Sequence, residues 1–186
     1  MKPVERSEIL DYVSYEESRD ALRASAMRAK DERRVHVGPY LTFLFENRDT
    51  VRYQIQEMTR TERMVKETDI LHEIATYNEL LGGPGELGCT LLIEIDDPAA
   101  RAVKLAMWLR LPKHLYAKLE DGTKVRAVFD ERQVGDKRVS SVQYLRFPVG
   151  GRVPVAIGSD LDDPEVGVEA TLTPAQSAAL RADLAS

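Results

Sequence analysis

The sequence predicts an α+β fold in which helices pack on a mainly antiparallel sheet. Helix patterns are concentrated in the first half of the 186-residue chain, and strand patterns in the second half. The connections between successive strand patterns are short, which is typical of antiparallel neighbours because parallel neighbours need long crossovers. A domain usually holds about 100–200 residues. Residues 1–186 are therefore predicted to form a single domain.

The first predicted element is a helix over about residues 15–33, inside a helical region of about residues 7–34. Its start is taken from "SYEE", in which Ser14 and Glu17 have the spacing of a capping box. The stretch "RVHVGPYLTFLFE" then predicts two strands around the Gly38-Pro39 turn. The second of these strands is apolar on both faces, which indicates a central strand that is covered on both sides.

A long polar helix is predicted from Arg48 to about Lys66, with Asn47 as the N-cap that accepts a hydrogen bond from a free backbone N–H. Asp69 is predicted to cap the next helix, which ends in the glycine-rich turn "GGPGELG". The strand "CTLLIEI" follows, and then a helix capped by Asp97.

The second half of the chain is predicted to contain mostly strands. "LYAKLEDGTKVRAVF" has the Asp-Gly turn of a hairpin. Further strands are predicted in "RVSSVQYLRFPV", "RVPVAIG" and "GVEATL". A closing helix over about residues 174–184 lies in an acidic C-terminal segment, residues 159–186.

Composition limits the classes of partner. The chain has 26 basic and 31 acidic residues and a net charge of −5, so nucleic-acid binding through phosphate neutralisation is not expected. Its apolar runs are shorter than the ~20 residues that span a bilayer, and its start has no apolar signal stretch. We therefore expect a cytoplasmic protein without membrane insertion. Cys89 is the only cysteine, which excludes an internal disulfide, and its apolar surroundings predict a buried thiol.

The polar helix that follows the apolar strand is the candidate site. Long polar side chains recur along one of its faces at three- and four-residue spacing; they are Arg48, Arg52, Gln56, Arg60 and Arg63. One interpretation is that carboxylates of neighbouring elements pair with the arginines and hold the helix to the rest of the protein. The other is a pocket at the start of the helix, where Arg48 and Arg52 bind an anionic ligand.

A metal site is a further interpretation. Carboxylates and imidazole together suit iron, manganese or zinc, and the candidate ligands are Glu46, Glu57 and His36. The histidines are isolated, however, and no HExxH motif is present. Trp108 and Met107 in "KLAMWLRLP" are candidates for an oligomer interface, although a tryptophan in the core fits the same pattern.

Three segments, "LFENRDTVRYQIQEM", "YNELLGGPGELGCTLLIEI" and "SSVQYLRFP", resemble a bacterial family of short proteins of unknown function. The motif positions of that family correspond here to Glu46, Thr50, Gln54, Glu57, Met58, Tyr77, Asn78, Gly85 and Glu86. Many relatives have histidine where this chain has Tyr40, so a metal site that uses that position is in doubt here. The predicted binding residues are Glu46, Asn47, Arg48, Thr50, Arg52, Gln56, Glu57, Tyr77, Asn78 and Glu86.

The resemblance implies a functional context. Genes of such proteins often neighbour a rubrerythrin and an iron–sulfur oxidoreductase that resembles heterodisulfide reductase. We therefore expect a soluble accessory or binding protein in peroxide or thiol redox metabolism, with those two proteins as partners. Two alternatives stay open. One is a small metal-dependent or anion-binding enzyme that uses Glu46, Arg48, Arg52 and Glu57, and the other is a structural subunit of a homo-oligomer.

Overall fold

A computed structural model describes residues 1–131 and 134–186. A short 3-10 helix, Arg6–Glu8, precedes the first α-helix. The described helices are α1 Tyr12–Asp31, α2 Arg48–Thr61, α3 Glu67–Asn78, α4 Pro98–Met107, α5 Leu111–His114 and α6 Pro174–Leu184. The described strands are β1 Arg34–Val37, β2 Leu41–Phe45, β3 Leu87–Ile93, β4 Leu115–Lys118, β5 Lys124–Arg126, β6 Val128–Phe129, β7 Val142–Phe147, β8 Ala156–Ser159 and β9 Glu169–Thr171.

The strands form two sheets. The first has five strands in the order β1-β2-β3-β7-β6, and the second has four in the order β5-β4-β8-β9. Every pair of neighbouring strands is antiparallel. The predicted α+β class with antiparallel pairing is thereby confirmed. The two sheets share one apolar core, to which Phe43 and Leu145 contribute from the first sheet and Leu115 and Ile157 from the second.

Strand β2 is buried along its whole length, as its two apolar faces predict. Phe45 at its end packs against Phe147 of β7. The turn after α3 lies directly against β3 at Gly88, where an added Cβ would come within 1.9 Å of the Leu80 carbonyl oxygen. Only glycine therefore permits this close approach of the turn to the sheet.

A second, smaller apolar cluster lies between α2, α3 and the first residues of the chain. Helix α2 contributes Val51 and Ile55, and α3 contributes Ile70 and Ile74. Residues 1–11, which we call the leading segment, also supply buried side chains to this cluster. Helix α1 packs along α2 on another side.

Some helix boundaries differ from the prediction because another side chain provides the cap. Helix α1 begins at Tyr12, since Asp11 accepts from the backbone N–H groups of Val13 and Ser14. Ser14, the predicted cap, instead donates its hydroxyl to Asp11. Helix α2 ends at Thr61, and Arg63 then has a left-handed backbone with φ of 49°.

Helix α3 begins at Glu67, so the predicted cap Asp69 lies within its first turn. The predicted caps Asn47 and Asp97 each accept the expected backbone hydrogen bond. Helix α6, which Thr173 caps, matches the predicted closing helix. Within the described residues, no helix combines the length and apolar character that crossing a bilayer requires.

Trp108 is completely buried, and its Nε1 donates to the Asp163 carboxylate over 2.9 Å. The interpretation of Trp108 as a core tryptophan is therefore confirmed, and the alternative in which it anchors an interface is wrong. Met107, its neighbour, is 64 % exposed. Cys89 lies in the shared core, as predicted.

Candidate functional site

The arginines at the start of α2 are paired within the protein. The Nη2 of Arg48 lies 2.6 Å from the Glu8 carboxylate, and its Nε donates to the Pro3 carbonyl. Arg52 contacts Asp49 at 2.9 Å and Glu8 at 3.6 Å. Both guanidinium groups therefore already have carboxylate partners, as the internal interpretation of this helix expects.

Two side-chain amides of the helices bind the backbone of the leading segment. Gln56 accepts from the Leu10 N–H over 2.9 Å and donates to the Leu10 carbonyl over 2.8 Å. Asn78 accepts from the Val4 N–H over 2.8 Å and donates to the Val4 carbonyl over 3.0 Å. Each amide thus satisfies both polar groups of one backbone residue, in the way that a neighbouring strand would.

Glu57 binds to α1. The Arg19 guanidinium contacts its two carboxylate oxygens over 2.8 and 2.9 Å, and the Tyr15 hydroxyl donates to it over 2.6 Å. The Arg19 hydrogen bonds lower the pKa of Glu57, whereas burial and the nearby carboxylate raise the pKa of Tyr15. A second ion pair, between Glu16 and Arg60, joins the same two helices.

Glu46 occupies a buried position between β2 and α2. Its carboxylate accepts hydrogen bonds from the hydroxyls of Thr50, over 2.5 Å, and Thr90, over 2.7 Å. Asn47 caps α2 through the Thr50 N–H and also contacts Asp183 of the closing helix. This network holds the start of α2 against β3 and α6.

His36 belongs to a third, separate group. Its Nδ1 lies 2.8 Å from the Thr42 hydroxyl oxygen, and that hydroxyl donates to Glu94. The structure therefore does not bring the expected metal ligands Glu46, Glu57 and His36 together. In the part of the chain that is described, no three His, Cys, Asp or Glu side chains are grouped as metal ligands.

A cleft of about 940 Å³ lies between α3 and the β6–β7 edge of the first sheet, and we call it the α3–β7 cleft. Its aromatic and aliphatic lining comes from Tyr77, Leu80, Leu81, Val128, Phe129 and Tyr144. Val128 is 45 % exposed and Tyr144 is 46 % exposed. The cleft therefore presents apolar surface to solvent beside the edge of the sheet.

Carboxylates dominate the charged lining of the α3–β7 cleft. Negative charge comes from Glu73, Glu79 and Asp130. Positive charge comes from Arg146, which forms an ion pair with Glu86 at 3.5 Å. Burial, followed by the charge of Glu62, raises the pKa of Glu73. The described rim is thus net acidic.

Some of the predicted site residues lie at this cleft. Tyr77 lines it, and burial raises the pKa of its phenol, while the side chain of Gln54 in α2 acts in the opposite direction. Glu86 accepts from the Gly83 N–H at the rim. Tyr144 was missed, although the alternation in "VQYLRF" places it on the face opposite Leu145.

A smaller cavity of about 330 Å³ lies between α1, α2 and the leading segment. Arg52 and Gln56 line it together with Tyr15, Tyr53 and Leu22. The predicted binding residues are therefore divided between the two cavities and the internal networks.

The family described as "Protein of unknown function (DUF3501)" matches residues 3–184. A solved structure with a similar fold is that of a novel protein of unknown function from Burkholderia pseudomallei K96243, at 29% sequence identity and a TM-score of 0.88. The match covers 98% of this chain and 100% of the other. No curated protein sequence matches the chain. Because the family match spans almost the whole sequence, the chain belongs to the DUF3501 family.

Proposed function

We propose that this protein is an accessory binding protein that docks a partner polypeptide in the α3–β7 cleft. The observation that carries the proposal is the exposure of Val128 and Tyr144, each close to half, on the wall of a 940 Å³ cleft. Exposed apolar side chains beside a concave surface are typical of interaction sites. A partner that covered them would gain the free energy of removing apolar area from water.

The internal pairing of the polar residues also favours a binding protein over an enzyme at α2. Glu46, Arg48 and Glu57 each form hydrogen bonds or ion pairs with other parts of this chain. These contacts hold secondary-structure elements together and leave the three side chains in separate groups. Their role in the proposed function is to position α2 and α3, and hence the wall of the cleft.

The charge of the cleft indicates the chemistry of the partner. Glu73 on one wall and Glu79 at the end of α3 favour lysine or arginine, while Tyr144 and Val128 favour an apolar side chain. A segment with apolar anchors flanked by basic residues meets both requirements, because complementary charge guides association and apolar contact stabilises the complex. Such binding weakens as salt concentration rises.

The family resemblance supports a particular partner class. Relatives of this kind are expected beside a rubrerythrin and a heterodisulfide-reductase-like iron–sulfur oxidoreductase, so these two proteins are the proposed partners. The role that follows is an accessory one in peroxide or thiol redox metabolism. The cleft supports the mode of binding, and the resemblance supports the identity of the partner.

The experiment is isothermal titration calorimetry of this protein with each purified partner, at low and at high salt concentration. Tyr144→Ala combined with Val128→Ser should weaken binding about tenfold or more, since each truncation removes buried apolar contact. Val65→Ser is the matched control, because Val65 is 75 % exposed and lies outside the cleft lining. Equal affinity of the cleft variant and the control would overturn the proposed docking site. If neither partner binds, the assignment to redox metabolism is overturned.

A further inference from the structure

The leading segment lies in a groove whose contacts have the chemistry of peptide recognition. Gln56 and Asn78 each bind both the N–H and the carbonyl of one backbone residue, at Leu10 and Val4 respectively. Hydrogen bonds to the backbone do not depend on which side chains the bound segment carries. They fix the register of the bound backbone on both sides of the 3-10 helix Arg6–Glu8, in the way that backbone hydrogen bonds fix an added strand at the edge of a sheet.

Two apolar anchors supply the sequence preference of this groove. Val4 and Ile9 are 2 % and 4 % exposed and belong to the small cluster between α2 and α3. That cluster is separate from the core shared by the two sheets. The side chains of Lys2, Glu5 and Ser7 are exposed. The groove thus selects apolar side chains at two positions and leaves these three side chains in solvent.

Charged contacts lie at both sides of the groove. On one side, Arg48 pairs with Glu8 and also donates a hydrogen bond to the Pro3 carbonyl. On the other side, Arg6 pairs with Glu67 at the start of α3. The preferred segment therefore has a basic residue two positions after the first anchor and an acidic residue just before the second anchor.

The connection to α1 separates the segment from the helix that follows. Asp11 caps α1 through Val13 and Ser14, so the start of α1 does not depend on the groove. Leu10, the last residue whose backbone binds the groove before this cap, has a side chain that is 40 % exposed. A change of backbone angles near Leu10 would release the segment without breaking the cap.

We propose that the groove between α2 and α3 is a peptide-binding site, filled here by the chain's own leading segment and able to accept the same segment of a second copy. Its ligand class is a polypeptide with the pattern of "VERSEI", whose central residues form a 3-10 turn between the two apolar anchors. Exchange of identical segments between copies is a low-cost route to association, because every contact already exists in the single chain.

The experiment uses the full chain with Val4→Asp and Ile9→Asp, which removes both anchors of the attached segment. A fluorescent peptide with the sequence of residues 1–12 is titrated into this variant, and its anisotropy is measured. We expect saturable binding by the variant, and binding at least about tenfold weaker by the wild type, because its attached segment competes at an effective concentration in the millimolar range. Ser7→Asp is the control, since Ser7 lies on the exposed side of the segment, and it should behave like wild type.

The specificity of the groove has a second readout. A peptide that carries both Asp substitutions should not bind the variant, and Gln56→Leu in the variant should weaken binding of the native peptide about tenfold. A folded variant that fails to bind the peptide at about 1 mM would overturn the proposal. If the variant unfolds, its thermal midpoint by circular dichroism is measured with the peptide. Restored folding supports the proposal, and no restoration at the same concentration overturns it.

Discussion

Arg33 and Asp183 form a buried ion pair with two hydrogen bonds across 150 positions of sequence. The Nε–Oδ2 and Nη2–Oδ1 distances are 2.7 and 2.9 Å, and each side chain is only 8% exposed. Asn47 also contacts Asp183, at 3.4 Å. The pair and its contact with Asn47 therefore connect the residue before β1, the start of α2 and the closing helix. They hold α2, and with it the neighbouring cleft, in position.

Asp183→Asn should destabilise the protein by about 3–5 kcal/mol, because it leaves the Arg33 guanidinium buried without a negative partner. The free energy of unfolding is measured by urea denaturation with the fluorescence of Trp108, the single tryptophan. Asp162→Asn is the control, since Asp162 is exposed in the same acidic segment. A loss below about 1 kcal/mol would show that the pair behaves like an exposed one.

Glu57→Gln should reduce stability at neutral pH by about 1–3 kcal/mol, because the charged hydrogen bonds from Arg19 are lost. The pKa of Glu57 in the folded protein is lowered from 4.5. A lowered pKa contributes stability that is fully present above the unfolded value and is lost as pH falls through the folded value. The difference between wild type and variant should therefore be constant above about pH 5 and shrink below pH 4.5.

Urea midpoints of both proteins between about pH 3 and pH 8 check this dependence, because that range extends from below the usual carboxylate pKa values to well above them. Glu17→Gln is the matched control on α1, because Glu17 is exposed. Its stability relative to wild type should not follow the same pH profile. An unchanged Glu57→Gln stability across the range would mean that the contacts with Arg19 and Tyr15 contribute nothing to folding.

Gln56→Leu should loosen the leading segment while α2 stays folded. The Leu10 N–H donates to Gln56, so its hydrogen exchange should become about tenfold faster when that acceptor is removed. Exchange by NMR or mass spectrometry reports this directly. Thr61→Ala, at the exposed end of α2, is the control and should leave the Leu10 exchange rate unchanged. Equal rates in both variants would show that the Gln56 amide does not hold the segment.

Local features of the fold were predictable from the sequence, because their causes lie within a few residues. The Asn47 cap needs only the Thr50 N–H, and the burial of β2 follows from its apolar residues on both faces. The start of α1 was missed because Asp11 and Ser14 are both good caps, and the pattern does not show which one the chain uses.

The site was less predictable because its contacts join distant positions. Gln56 meets Leu10 across 46 positions and Asn78 meets Val4 across 74, so no local pattern shows their roles. The spacing of the expected metal ligands in the sequence already argued against a shared metal site. Glu46 precedes the helix, and Glu57 lies nine positions after its first residue, Arg48, which is a rise of about 14 Å, whereas ligands of one zinc ion lie about 2 Å from it.

Cys89 should resist thiol reagents in the folded protein. Its side chain is 2 % exposed. Burial is the main effect that raises its pKa well above the usual value, and the charge of Glu46 raises the pKa further. Because the thiolate is the reactive form, both effects suppress reaction. Ellman's reagent at pH 8 should therefore label the native protein at the rate of unfolding and label it at once in concentrated urea. A fast reaction of the native protein would show that the thiol is accessible, and it would make Cys89 a candidate for the thiol chemistry of the proposed redox partners.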